Sequence, residues 1–255
     1  MRPKSRIQSI DRALDVLEAV RDASSPIRAV DIAANLELPV ATVHNIIRSL
    51  YYRGYLAQDE NDKYLLGNEC FKLGAGGTKK FAYLAKPAEK YIKKLAAETG
   101  DTSVVYCEYN MDLFEVAASY GGGNLIVQQQ QKFHSSMHVT ATGKVIIAEK
   151  GIDFFKNYLK RKKPEKFTEK TVIDVKGMAK QIEFYKENGY MTCNGESSFH
   201  IASIAVPIFK QDGTFVAALG QNFPISYLLS GEIVFAERAG LLKKYAGDIR
   251  NELPS

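Results

Sequence analysis

Along the first third of the chain, apolar positions recur with helical spacing. Val43, Ile46, Ile47 and Leu50 fall at i, i+3, i+4 and i+7, which gathers them on one buried stripe. The opposite side of that helix carries Ala41, Thr42, His44, Asn45 and Arg48, small or polar side chains able to approach base edges and phosphates in a major groove. A shorter helix precedes it with Val30, Ala33 and Ala34 turned inward, and Glu37-Leu38-Pro39 makes the turn, Pro39 being tolerated where a helix opens. Upstream, Ile10, Ala13, Leu14, Leu17 and Val20 form the stripe of a first helix, with Ser9 as its expected N-cap and Ser24-Ser25-Pro26 as its break. Downstream, Gly54 offers the left-handed residue that ends a helix cheaply. Tyr55 to Ala57 and Lys63 to Leu66 then flank the polar tip Asp59-Glu60-Asn61-Asp62, a hairpin pattern. Helix, turn, helix, hairpin is the order of a winged helix-turn-helix, with the two-helix core at about residues 28–50.

The pattern changes at Gly74-Ala75-Gly76-Gly77-Thr78, a composition break flexible enough to mark a domain boundary. Beyond it Leu84, Ala88, Tyr91 and Leu95 share one face of a helix that Gly100 closes, read as a linker helix entering the second domain. Strand-like runs occupy residues 102–109, 113–120 and 124–131, then 201–209 and 214–222, the last two joined through the hairpin signal Asp212-Gly213. Helical segments at about 140–150, 152–160 and 174–188 separate them. A closing helix over 231–250 presents Ile233, Leu241, Tyr245 and Ile249. An antiparallel sheet flanked by helices makes the second domain α+β.

Composition sharpens this reading in a few places. The chain has 255 residues, enough for two domains each with a core, and a formal net charge of +5. Through Leu73 acids match bases one for one, so the expected DNA domain is neutral overall; its arm Arg2-Lys4-Arg6 is nonetheless purely basic. The excess charge lies later, mostly as lysine, and Lys160-Arg161-Lys162-Lys163 reads as a solvated loop. Cys70, Cys107 and Cys193 lie far apart, which suggests neither a disulfide framework nor a zinc site. Gly121-Gly122-Gly123 lacks the following G-K-[ST] of a phosphate loop and reads as a turn. No apolar run is long enough to span a bilayer, so no membrane partner is expected and the cytoplasm is the expected location.

The motifs taken in order resemble those of the IclR family of bacterial transcription regulators. The likeness runs from Ile7-Gln8-Ser9-Ile10-Asp11-Arg12-Ala13 through Leu38-Pro39-Val40-Ala41-Thr42-Val43-His44 and Arg53-Gly54-Tyr55-Leu56. It continues at His138-Val139-Thr140-Ala141-Thr142-Gly143-Lys144, Asn188-Gly189-Tyr190 and Ala205-Val206-Pro207. The resemblance implies an α+β chain with a winged helix-turn-helix domain over 6–68, a linker over 69–82, and a GAF-like effector-binding domain over 83–255. It also implies a double-stranded DNA operator, a small-molecule effector of unknown identity, and assembly as a homodimer or a tetramer that is a dimer of dimers. DNA contact is expected from Arg6, Ala41, Thr42, His44, Asn45, Arg48 and Lys63. The family's effector positions map onto Ala141, Thr142, Cys193, Ser203, Gly220 and Asn222.

At those effector positions departures outnumber matches. The family usually has an acid at Cys193, Arg-Cys at Ala202-Ser203, serines at Gly220 and Asn222, and glycine at His200, so the ligand is not inherited with the fold. Val40 and Ala41 likewise replace the basic and hydroxyl residues common at the start of the reading helix. The segments 138–144 and 193–203 are expected to face each other across the mouth of the sheet, where amides opening the Thr140 helix would suit a small anion. His134, His138, Cys193 and His200 are transition-metal ligand types, but without motif spacing no metal and no cofactor is assigned. Cys193 with His200 or His138 is also a nucleophile and base pair in principle; no orienting carboxylate stands at a recognisable spacing, so a non-enzymatic regulator is expected. A constitutive DNA-binding protein with a lapsed effector site is the remaining alternative.

Overall fold

The structure, a computed structural model, describes residues 7–122 and 136–254. The arm with Arg6, the expected strand over 124–131 and His134 lie outside the described residues. The chain divides into two compact units, Met1–Lys80 and Phe81–Ser255.

The first unit holds α1 (Gln8–Asp22), α2 (Ala29–Asn35) and α3 (Val40–Tyr52), then strands β1 (Leu56–Gln58) and β2 (Tyr64–Leu66) and α4 (Asn68–Thr78). Its core gathers Val16, Val20, Ile32, Val43, Ile47 and Leu56. This corrects the expected stripe of α1: Ile10 and Leu14 are 54% and 50% exposed, and Val16 is fully buried. The expected cap is corrected too, since Ile7 is the N-cap residue and Ser9 lies inside the helix. Between α2 and α3 Glu37 takes φ +52°, and Leu38 N donates to Ala33 O at 3.0 Å to close the turn. Gly54 has φ +76° after α3, as its position requires.

The wing is tied at both ends. Asp59 Oδ1 accepts from the amides of Asn61 and Lys63 at 2.9 Å each, an Asx-type tip. Ile27 and Tyr64 exchange backbone bonds of 3.0 and 2.8 Å, which adds Ile27 to the hairpin edge. The glycine-rich run is helical, not a flexible break: Gly74, Gly76 and Gly77 sit within α4, exposed, with nothing near the place a Cβ would occupy. Glycine there weakens the helix without a steric reason for its presence.

The second unit opens with α5 (Ala82–Thr99), which follows a 3-10 turn and buries Leu84, Ala88, Ile92 and Leu95. Its apolar face is part of the core of the second unit. A five-stranded antiparallel sheet follows in the order β4-β3-β7-β6-β5, with β3 (Thr102–Tyr109), β4 (Asp112–Ser119), β5 (Met191–Asn194), β6 (Ile201–Phe209) and β7 (Phe215–Pro224). Strand β5, which runs into the 193–203 segment, is not among the strand-like runs expected from sequence. The β6–β7 turn is the expected hairpin, with Gly213 at φ +85° and Asp212 Oδ1 accepting from Thr214 N.

Strand alternation splits the core into two layers. Val105, Cys107, Ile204, Val206 and Leu219 pack with α5 and with α10 (Phe235–Glu252), which begins after α9 (Ser226–Leu229). Val104, Tyr106, Ala205, Ala218 and Cys193 pack on the other side with α6 (Ala141–Lys150), α7 (Ile152–Lys162) and α8 (Val175–Asn188). A buried network stitches the first layer: Arg238 donates to Asp101 (2.5 Å) and Gln221 (2.8 Å), and Gln221 donates to Thr99 and Ser103.

Candidate functional sites: a DNA-reading face and an effector face

Helix α3 turns Val43 and Ile47 into the core and leaves Ala41, His44, Asn45, Arg48 and Ser49 exposed, with Thr42 half-buried. Arg48 Nη2 donates to Asn45 Oδ1 at 2.5 Å, so these two polar side chains of the exposed face orient one another. Between α3 and the wing lies a cleft of about 310 Å³ lined by His44, Asn45, Arg48 and Tyr51 from the helix and Gln58 and Tyr64 from the hairpin. Gln58 and Tyr64 escaped sequence reasoning because a three-residue strand gives too short an alternation to show which side faces α3.

Lys63 does not share that cleft. It lines a separate depression with Arg28 and Asp31, where its charge helps hold the Asp31 carboxyl below the ordinary carboxylate range, second to the bonds from Arg28. Arg28 and Arg21 are each paired with an acid, Asp31 and Asp22. Arg12 lines a third groove with Thr42, Asn45 and Ser49, which makes it a cation beside the reading helix that the sequence reading did not single out. Its signal was available, since Arg12 interrupts the apolar positions of α1.

In the second unit the six expected effector residues are distributed over α6 and three strands that converge. Cys193 pairs with Ser203, Ser203 with Asn222, and Gly220 with Ala205 across the sheet. Ala141 N donates to Ser203 Oγ at 3.4 Å, which seats the start of α6 on β6. Thr140 caps α6, its Oγ1 accepting from Gly143 N at 3.1 Å. Gly143 is demanded by proximity: a Cβ there would lie 2.3 Å from Met137 O. Ala141, Thr142, Cys193 and Ser203 are buried and Asn222 is half-buried. Gly220 makes room for Thr142, whose Cγ2 would stand 2.6 Å from any Cβ added at 220.

Lys144, one turn into α6, is fully buried and forms an ion pair with Glu196 while donating to Thr192 O at 3.3 Å. Both charges act on Cys193, yet burial dominates and pushes its thiol pKa up; its Sγ donates to Val139 O at 3.0 Å. A reactive cysteine needs the opposite shift. His138 is buried with both ring nitrogens engaged, Nδ1 with Tyr158 Oη (3.0 Å) and Nε2 with Glu165 O (2.8 Å). A carbonyl can only accept, so Nε2 carries the proton and Nδ1 accepts from the phenol. Burial lowers the His138 pKa and keeps the ring neutral. His200 is exposed, and among the described residues no group of three or more His, Cys, Asp or Glu side chains is arranged to hold a metal ion. Among them, too, no helix is long and apolar enough to cross a membrane.

An open helix beside a tied wing, joined in one chain to a sheet domain with a closed polar face, is the architecture of a winged-helix transcription regulator. Comparison with known proteins narrows this: residues 9–60 match the IclR helix-turn-helix domain and residues 82–251 match the bacterial transcriptional regulator IclR C-terminal domain. The chain belongs to the IclR family. Among its relatives are the HTH-type transcriptional regulator XynR of Escherichia coli, 25% identical over 84% of each chain, and the transcriptional repressor IclR of the same organism, 21% identical over 89% of this chain and 84% of that one. The fold is shared with the IclR of Thermotoga maritima (TM-score 0.76, 20% identity, covering 97% of this chain and 99% of that one). It is also shared with an IclR homolog complexed with 4-hydroxybenzoate from Microbacterium hydrocarbonoxydans (TM-score 0.78, 19% identity, 96% and 99% covered).

Proposed function

We propose that this regulator represses transcription by laying the outer face of α3 in the major groove of an operator in the cytoplasm, and that a small molecule bound on the α6 side of the sheet releases it. The observation that carries the first half is the exposed face of α3, where His44, Asn45 and Arg48 stand beside the wing cleft with their backs on a closed core. Arg48 holds phosphate or guanine, Asn45 reads one base, and Arg6, Ala41, Thr42 and Lys63 complete the contact.

The second half is supported by the convergence of Ala141, Thr142, Cys193, Ser203, Gly220 and Asn222 at the start of α6. The Microbacterium protein, with the same fold, is seen with a bound small molecule. A homodimer or a dimer of dimers presents two reading helices to a palindromic operator, whose half-sites lie about one helical turn apart.

Binding of the full chain to duplex fragments from upstream of its own gene, followed by fluorescence anisotropy, tests the reading. Tight, salt-sensitive binding by an even-numbered oligomer, weakened by a metabolite that also raises Tm, is the expected result. Binding that no metabolite alters would replace the sensor with a constitutive regulator, and absence of binding at low salt would remove the proposal.

A further inference from the structure

Four adjacent strands each offer one polar position to α6 in a single cross-strand row. Thr102 stands opposite Asn222, Asn222 opposite Ser203, and Ser203 opposite Cys193. Alternation along β3 puts Thr102 on the same side as Val104 and Tyr106, which pack in the α6 layer. The next row of the same face, Val104, Gly220, Ala205 and Met191, has no polar side chain. The polar row is therefore confined to the level of the α6 N-terminus.

Thr102 is 3% exposed, and its Oγ1 has no hydrogen-bond partner among the described residues. A buried hydroxyl without a partner is unfavourable, and such groups in native proteins call for an explanation, a bound molecule that supplies the partner being one. Toward the other end of the row, Glu196 is 7% exposed with Oε1 bonded to Lys144 and Oε2 equally unpartnered. Lys144 is spent on Glu196 and Thr192 O, so this cation is not free for a carboxylate. Of the first-turn amides of α6, Ala141 N is taken by Ser203 and Gly143 N by Thr140. What remains on this face is the Thr102 hydroxyl, the Asn222 carboxamide, the Thr142 N–H and Glu196 Oε2, hydrogen-bonding groups with no unpaired cation among them, a set that suits an uncharged polar ligand.

We propose that the effector is an uncharged molecule bearing hydroxyl or amide groups, and that Thr102, through Oγ1 beside Asn222, is one of the residues that bind it. This rests on the reading of the α6 side of the sheet as the effector face. The Thr142 methyl fills the space over Gly220 in this structure.

The test uses the full chain, thermal denaturation and operator binding, with three matched pairs of probes: glucose and gluconate, 4-hydroxybenzamide and 4-hydroxybenzoate, glycolamide and glycolate. The neutral member of at least one pair is expected to raise Tm and change operator affinity, its anionic twin to do neither. Thr102→Val, close to isosteric, is expected to raise the ligand-free Tm by about 2–4 °C, because it deletes an unsatisfied hydroxyl, and to weaken the neutral probe about tenfold. A lower ligand-free Tm in Thr102→Val, or unchanged affinity for the neutral probe, overturns the proposal. A response to the anionic members alone overturns it while leaving the effector reading intact. Silence from every probe in both measurements overturns the two together.

Discussion

The outer face of α3 and the α6 side of the large sheet meet water in opposite ways. On α3 the side chains proposed to read DNA are exposed, Thr42 by half, and sit on a single helix, so their grouping follows from a repeat of 3.6 residues. On the sheet the corresponding side chains are buried, Asn222 by half, and come from four strands and the first turn of α6, so their grouping follows from strand register. Chemistry differs in step: the first surface exposes polar side chains suited to a large polyanion, while the second has its charges paired and two of its first-turn amides used. A surface built by one element tolerates substitution, since its residues support little besides the contact they make. A face built by five elements is also a piece of the core, and changes there reach stability and ligand response together.

The largest expected effect lies on the closed side. Glu196→Ala leaves Lys144 buried without its counter-charge, and urea unfolding is expected to show a loss of about 3–5 kcal/mol. A loss below about 1 kcal/mol would show that this face admits water freely and would erase the contrast. Next comes the core side of α3, where Ile47→Ala opens a cavity and costs about 2–5 kcal/mol.

Smaller effects are expected when the exposed side of the same helix is altered. Arg48→Ala is expected to leave the unfolding free energy within about 0.5 kcal/mol while weakening duplex binding across sequences and lowering the salt slope by about 1. Asn45→Ala is expected to relax preference at one base by about 1–3 kcal/mol. Because Arg48 donates to Asn45, the double variant should fall short of the sum of the single losses, which a double-mutant cycle measures.

The smallest expected effect concerns pH. Burial lowers the His138 pKa, so the unfolded chain binds the proton first. The stabilisation from the neutral ring is full above the unfolded value of about 6.5 and is lost as pH falls from there toward the lowered folded value. His138→Gln is expected to flatten the stability profile over that window. A steeper profile in the variant would contradict the burial of His138 as a neutral ring.

These contrasts explain what could be read in advance. The α3 stripe, the Gly54 terminus, the Asp59 tip and the Asp212-Gly213 hairpin each depend on neighbours within a few residues, and each appears where local rules place it. Helix α1 went differently because it is apolar over two overlapping stripes, and only the partner helices decide that Val16 is buried while Ile10 and Leu14 stay exposed. Gly74, Gly76 and Gly77 read as a break, yet the surrounding helix carries them across open space. The six effector positions came from family resemblance, and the structure brings them together at one helix end. Thr102 is not legible in the sequence because nothing near it marks it; its place opposite Asn222 is set by the β3–β7 register.

Salt-dependent binding to a labelled duplex from upstream of its own gene, measured for the native chain and Arg48→Ala side by side over about 50–200 mM salt, bears most directly on the open α3 face as the DNA-reading surface. The native chain is expected to bind tightly at low salt and to lose affinity linearly on a logarithmic salt axis, with a shallower line for the variant. Coincident lines, or no binding by the native chain at the lowest salt, would contradict it.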